Sequence, residues 1–248
     1  MHRRICLSAL LLAASGAASA MSAEELIAKN LEAKGGLEAI KAIESLRATG
    51  KLSFTGDFAV DLTLDSLVSR SGKVRQEAAL QGMTSVQAYD GKEGWQIQPF
   101  GGRKDPEKLS ADDSKGLVDD ADIDGPLVDW QAKGNKVEYL GTEDVDGTEA
   151  HKLKVSEKDG DVKYYYFDPD YFLEIRLVTQ RKVRGSEQEF ESDLGNYEKV
   201  AGVYMPFSIE TGPKGGAKQQ KVTIEKVEVN VPVDDAKFAF PATPAAAK

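Results

Sequence analysis

The sequence predicts a mainly β fold of the α+β kind: one large curved antiparallel sheet preceded by a helix. Three observations predict it. Apolar and polar residues alternate at period two through most of the chain, glycine-centred turns interrupt the alternation at short intervals, and helical spacing is confined to the amino terminus and one acidic stretch. No helix of crossover length separates consecutive strands elsewhere, so a parallel doubly wound sheet is not expected.

The first twenty residues read as an address. His2-Arg3-Arg4 forms a positive start, 5–14 is an apolar run, and Ala18-Ser19-Ala20 is a small-x-small cleavage site, the pattern of a secretory signal peptide cut after Ala20. As a helix that run spans only ~15 Å, about half a bilayer core, so it is not expected to remain as an anchor. Cys6, the single cysteine, sits at the start of the run and lies within the segment to be removed. The mature chain is therefore expected to be thiol-free, which excludes a disulfide scaffold, a zinc-thiolate site and a cysteine nucleophile. Without residues 1–20 there remain 30 basic and 41 acidic residues, a net charge of −11. Such a surface repels phosphate backbones and anionic headgroups, so neither nucleic-acid binding nor stable membrane insertion is expected.

From residue 22 the elements follow in order. Ser22-Ala23-Glu24-Glu25 fits a capping box, and Leu26, Ile27, Leu31, Leu37, Ile40 and Ile43 continue an amphipathic helix interrupted at Gly35-Gly36. After Leu46 the period becomes two. In 57–65 the even positions Phe58, Val60, Leu62 and Leu64 are apolar and the odd ones mostly acidic or polar. Comparable runs recur at 73–80, 83–89, 93–99, 136–143, 149–156, 161–168, 172–184, 187–199, 203–211 and 219–229, separated by turn signals such as Asp90-Gly91, Asp146-Gly147 and Asp159-Gly160. The exception is 106–132, where acids surround Leu109, Leu117, Val118, Ile123, Leu127, Val128 and Trp130; one or two short helices are expected there. One domain over 21–241 and a disordered, low-complexity tail over 242–248 complete the organisation.

Catalytic constellations are sparse. The mature chain has one histidine, His151, in a strand-like run, where it reads as a half-buried core residue. No G-x-S-x-G elbow occurs, and the glycine-rich 212–218 lacks phosphate-loop spacing. Asp120, Asp122 and Asp124, followed by Gly125, match the first half of a calcium loop. Gln131 stands where the bidentate glutamate belongs, so a solvated acidic rim competes with weak calcium binding. No cofactor and no enzyme activity are expected. What remains is the dry face of the sheet. If the strands form an incomplete barrel, Phe58, Val60, Leu62, Leu64, Val74, Leu80, Trp95, Ile97, Leu173, Ile175 and Leu177 line a concavity, with Leu117, Ile123, Leu127 and Trp130 of the acidic insertion as its cover. Two readings stay open: an apolar ligand site, or side chains that simply fill a core.

Particular residues resemble a known family. Asp90-Gly91-Lys92-Glu93-Gly94-Trp95-Gln96-Ile97-Gln98-Pro99-Phe100 resembles the D-G-K-x-x-W-x-x-x-P-F segment of the periplasmic lipoprotein carrier LolA. Val233-Asp234-Asp235-Ala236-Lys237-Phe238-Ala239-Phe240 resembles that family's closing V-x-x-A-x-F-x-F strand. Between them, Asn196-Tyr197-Glu198-Lys199-Val200-Ala201-Gly202-Val203-Tyr204-Met205-Pro206 is similar to the Y-x-x-V-x-G-x-x-x-P hairpin of outer-membrane lipoprotein-sorting proteins. The resemblance implies an open β-barrel of about eleven strands lidded by short helices, whose apolar interior receives acyl chains of lipoproteins or lipids. It also implies a periplasmic, monomeric carrier that delivers towards the outer membrane, with envelope donor and acceptor proteins as partners. In that family an arginine late in an early strand pairs with the lid; Arg70, before Ser71-Gly72, aligns with it. Two relatives of the same fold set the alternatives. An RseB-like module would sense lipid and bind an envelope signalling protein, and a VioE-like enzyme would use the cavity as an active site.

Overall fold

The computed structural model describes residues 21–56 and 59–241. The expected signal peptide, Phe58 and the tail 242–248 lie outside the described residues. Helix α1 (Ala23–Ala33) starts as the capping box predicts: the Ser22 hydroxyl accepts from Glu25 N at 3.1 Å. Gly35 and Gly36 break it from the short α2 (Leu37–Lys41). Gly35 has φ +121°, and a Cβ there would sit 2.1 Å from Gly202 O, so only glycine lets the helix end meet the sheet.

Among the described residues thirteen strands follow, two more than the family pattern implies. The first meander comprises β1 (Ser45–Phe54), β2 (Val60–Ser69), β3 (Lys73–Leu80), β4 (Met83–Tyr89), β5 (Gly94–Gln98) and β6 (Arg103–Lys108). The second comprises β7 (Lys136–Val145), β8 (Thr148–Ser156), β9 (Val162–Phe167), β10 (Glu174–Val183), β11 (Ser186–Val200), β12 (Val203–Pro213) and β13 (Gln220–Val229). All pairings are antiparallel, and the two meanders join where β1 pairs β13, from Leu46 opposite Val229 to Phe54 opposite Gln220. The outermost strands are β6 and β7, neighbours in sequence, so the sheet curls without closing and residues 109–135 travel between its two edges.

Strand β6 occupies the start of the expected helical insertion. Its sequence, Arg103-Lys104-Asp105-Pro106-Glu107-Lys108, has no alternation to read, and proline and charges are what an edge strand tolerates. The insertion contains one α-helix, α3 (Ala111–Ala121), capped by Ser110, then turns to residue 135. Among the described residues no helix is long and apolar enough to cross a membrane.

The sheet has two apolar faces. On the inner one, α1 packs Leu26 and Ile27 on Leu153, Val155, Tyr165 and Phe167, together with Leu127. Helix α2 and Val128 cover Val203, Leu46 and Val229, and α3 lays Leu117 and Ala121 on Val68 and Val74. Helix α3 approaches β5 closely because Gly94 leaves room: a Cβ would lie 2.3 Å from Ser114 Oγ. On the outer face, Val86, Ala88, Trp95 and Ile97 form a separate cluster. The carboxyl-terminal segment covers it: Trp95 Nε1 donates to Phe238 O at 2.7 Å, and Phe240 meets the Trp95 ring edge-on at 6.2 Å. That segment, likened above to a closing strand, is instead a 3-10 turn (Asp235–Lys237) in irregular chain. The ladder ends at Val229, Asn230 turns with φ +56°, and Pro232 has no N–H to continue it.

Candidate ligand cavity

Between the inner helices and the β1–β4 and β11–β13 part of the sheet, one region of the inner face is left uncovered. It forms an open cavity of about 590 Å³. One wall is aliphatic: Leu52, Leu62, Leu64, Ile209, Val222 and Ile224, from β1, β2, β12 and β13. Strand register assembles it, since Leu52 pairs with both Leu62 and Val222, and Val222 pairs with Ile209. The opposite wall is built of amides and hydroxyls. Ser66, Gln76 and Gln87 form one cross-strand row, with Ser85 and Gln98 beside it. Phe54 and Phe100 stand at the rim, each more than a third exposed.

Asp120, on α3, faces this space and accepts from Gln76 Nε2 at 2.9 Å. Water reaches its carboxylate through the cavity, but protein surrounds it. Although Asp120 is exposed on the open side of the cavity, the protein crowded around it displaces enough water to raise the carboxyl to about 6; the Gln76 hydrogen bond opposes the shift and neighbouring Asp119 adds to it. The only other acid on the lining, Glu77, turns to Arg75 at 2.7 Å.

Helix α3 is held differently on its two sides. Towards β2 and β3 the contact is apolar apart from the Gln76–Asp120 hydrogen bond. Towards β9 and β10 it is ionic: Lys115 pairs with Asp161 at 2.6 Å, and Asp119 pairs with Lys163 at 3.0 Å and with Arg181. Burial alone would lower the Lys163 and Arg181 pKa values, but Asp119 and the other facing acids more than offset it and both end raised. Residues 122–124 are tied back by Arg70. Its guanidinium donates to Asp124 Oδ2 at 2.7 Å, to Ile40 O at 2.9 Å and to Ile43 O at 2.6 Å.

The three aspartates read as half a calcium loop are drawn apart: Asp120 to Gln76, Asp122 to Lys133 and Asp124 to Arg70. Among the described residues no three acidic, histidine or cysteine side chains converge on a metal-sized space. His151 packs away from the cavity, bonded to Tyr139 at 2.9 Å and stacked on Phe172.

Of the residues singled out in the sequence, Leu62 and Leu64 line the cavity; Val60 and Leu80 lie at its strand ends. Val74 and Leu117 pack together beneath α3, and Ile123 lies against both that cluster and the α2 cluster. Leu127, Trp130 and Leu177 belong to the core under α1. Leu173 borders a surface hollow beside Tyr171. Trp95, Ile97 and Ile175 are not brought to the cavity: they serve outer-face clusters, because parity assigns a residue to a face without saying which face is inner. The reading missed Leu52, Ile209, Val222 and Ile224, whose period-two spacing was visible. It also missed the inward glutamines, which no hydrophobic pattern marks.

No protein-family model matches the chain, nor does any curated protein sequence. Solved structures do match. A LolA superfamily protein, NE2245 from Nitrosomonas europaea, superposes with TM-score 0.57 over 89% of this chain and 98% of its own, at 13% identity. The chain shares the fold of that protein. A proposed outer membrane lipoprotein-sorting domain from Vibrio parahaemolyticus gives TM-score 0.57 at 11% identity, covering 87% of this chain and 95% of that one. A DUF1329 family protein from Desulfovibrio piger gives 0.56 at 11% identity, covering 88% and 97%. With so few shared residues the likeness concerns the LolA-like sheet and its helices, and the side chains of the cavity must be read on their own.

Proposed function

We propose that this protein is a periplasmic carrier that holds the acyl chains of a lipid or lipoprotein in the open cavity and moves them towards the outer membrane. The observation that carries the reading is the unfilled, partly aliphatic space of about 590 Å³ on the inner face of a LolA-like sheet, within the range of small-molecule sites. Each methylene withdrawn from water contributes about 0.8 kcal/mol, so a long chain seated on the aliphatic wall is retained during an aqueous crossing. Release is eased when α3, the helix that borders the open cavity through Asp120, swings aside. Arg70 is the proposed latch, because one guanidinium fixes residues 122–124 to the end of α2.

The test is mass spectrometry of organic extracts from the mature protein, purified natively from its own envelope without detergent, beside a Leu62→Glu variant. Stoichiometric acyl lipid in the wild type and none in the folded variant is the expected result. An empty wild-type protein that also refuses a fluorescent fatty acid would overturn the carrier reading.

A further inference from the structure

The cavity is two-sided, and an alkyl chain satisfies only one side. Leu52, Leu62, Leu64, Ile209, Val222 and Ile224 suit a hydrocarbon body. Facing them, Gln76, Gln87 and Gln98 come from three successive strands, with Ser66 and Ser85 beside them. Amide and hydroxyl groups covered by hydrocarbon lose their water without a replacement partner, so a purely aliphatic occupant leaves this wall unsatisfied. No lysine, arginine or histidine lines the cavity, which gives a phosphate or carboxylate headgroup no counter-charge inside. The inner charge is negative: Asp120 makes no ion pair among the described residues, while Glu77 is neutralised by Arg75 on the outer side.

We infer that the cavity selects an amphiphile bearing a primary amine, its aliphatic body against β1, β2, β12 and β13 and its ammonium on Asp120 among the glutamine amides. This specifies the ligand class of the carrier reading and rests on it. An ammonium has three donors and no acceptor, which suits one carboxylate surrounded by amide oxygens.

The experiment uses the mature chain loaded with N-phenyl-1-naphthylamine, a neutral fluorescent probe, and follows displacement by dodecylamine, dodecanol and dodecanoate at neutral pH below micelle-forming concentrations. Dodecylamine is expected to displace the probe at about tenfold lower concentration than the other two, the size of one charge-assisted hydrogen bond. Asp120→Asn should abolish that preference while still binding the probe, with Asp120→Ser as a second variant should the first not fold. Glu225→Gln, the same charge change at an exposed site on β13, should keep it, which separates local recognition from attraction to an acidic protein. Equal displacement by all three amphiphiles, or a preference that survives at both Asp120 variants, overturns the amine assignment and leaves the carrier standing. Failure of the probe and of every amphiphile to enter overturns both.

Discussion

The two arms of the sheet use the same alternating pattern to opposite ends. In β8 and β9, inward Leu153, Val155 and Phe167 are fully buried, and Tyr165 nearly so, because α1 brings Leu26 and Ile27 down onto them. In β1, β2, β12 and β13, inward Leu52, Leu64, Ile209 and Val222 meet no helix and remain half-buried around open space. Alternation therefore marks a dry face but does not say whether protein or ligand keeps it dry. The supply of covering side chains decides that, and α1, α2 and α3 spend theirs on the lower part of the first arm and on the second.

The largest expected effect lies in the filled arm. Phe167→Ala should cost about 4 kcal/mol in urea unfolding, through lost burial and a void that α1 cannot collapse into. Leu64→Ala, the matched change in the open arm, should cost about 1 kcal/mol, since it enlarges a space already present. Similar losses at the two sites would erase the distinction. Next in size is Arg70→Ala, which strips three hydrogen bonds and leaves the carboxylate of Asp124 buried without its cation. A loss of about 2 kcal/mol is expected, and amide exchange should accelerate over 122–130 before it does over β8 and β9. Uniform acceleration would mean that the cover has no opening of its own.

The smallest effect concerns Asp120 and has a definite sign. Its carboxyl is raised to about 6 in the folded chain against an ordinary value of 3.8, so between those values the folded state binds more protons than the unfolded one. Stability from this group is therefore fully present below about pH 3.8 and is lost as pH rises through about 6. Asp120→Asn should accordingly raise the melting temperature slightly at neutral pH, with the difference from wild type vanishing near pH 4. A variant that melts lower than wild type at neutral pH would show that the ionised carboxylate is stabilised where it stands.

The helix break at Gly35-Gly36, the acidic helix and eleven of the thirteen strands were legible, because each declares itself by local spacing or by a turn residue; β1 was marked only by the change of period after Leu46. Strand β6 was not, because an edge strand needs no apolar face. The candidate site was legible only at Leu62 and Leu64. Trp95 misleads in a sequence since an indole buried on either face looks the same, and its partner Phe238 lies 143 residues away. Asp120 passed for half of a calcium loop because its real partner, Gln76, is on a strand that only the fold brings beneath α3.

The sequence by itself determined the elements, their antiparallel succession and the alternation of wet and dry positions, all consequences of interactions within a few residues. Which dry positions are covered depends on where α1, α3 and the carboxyl-terminal segment come to rest. That is settled by contacts between distant parts of the chain, and so only the tertiary structure decided that β1, β2, β12 and β13 surround a cavity while β8 and β9 form a core.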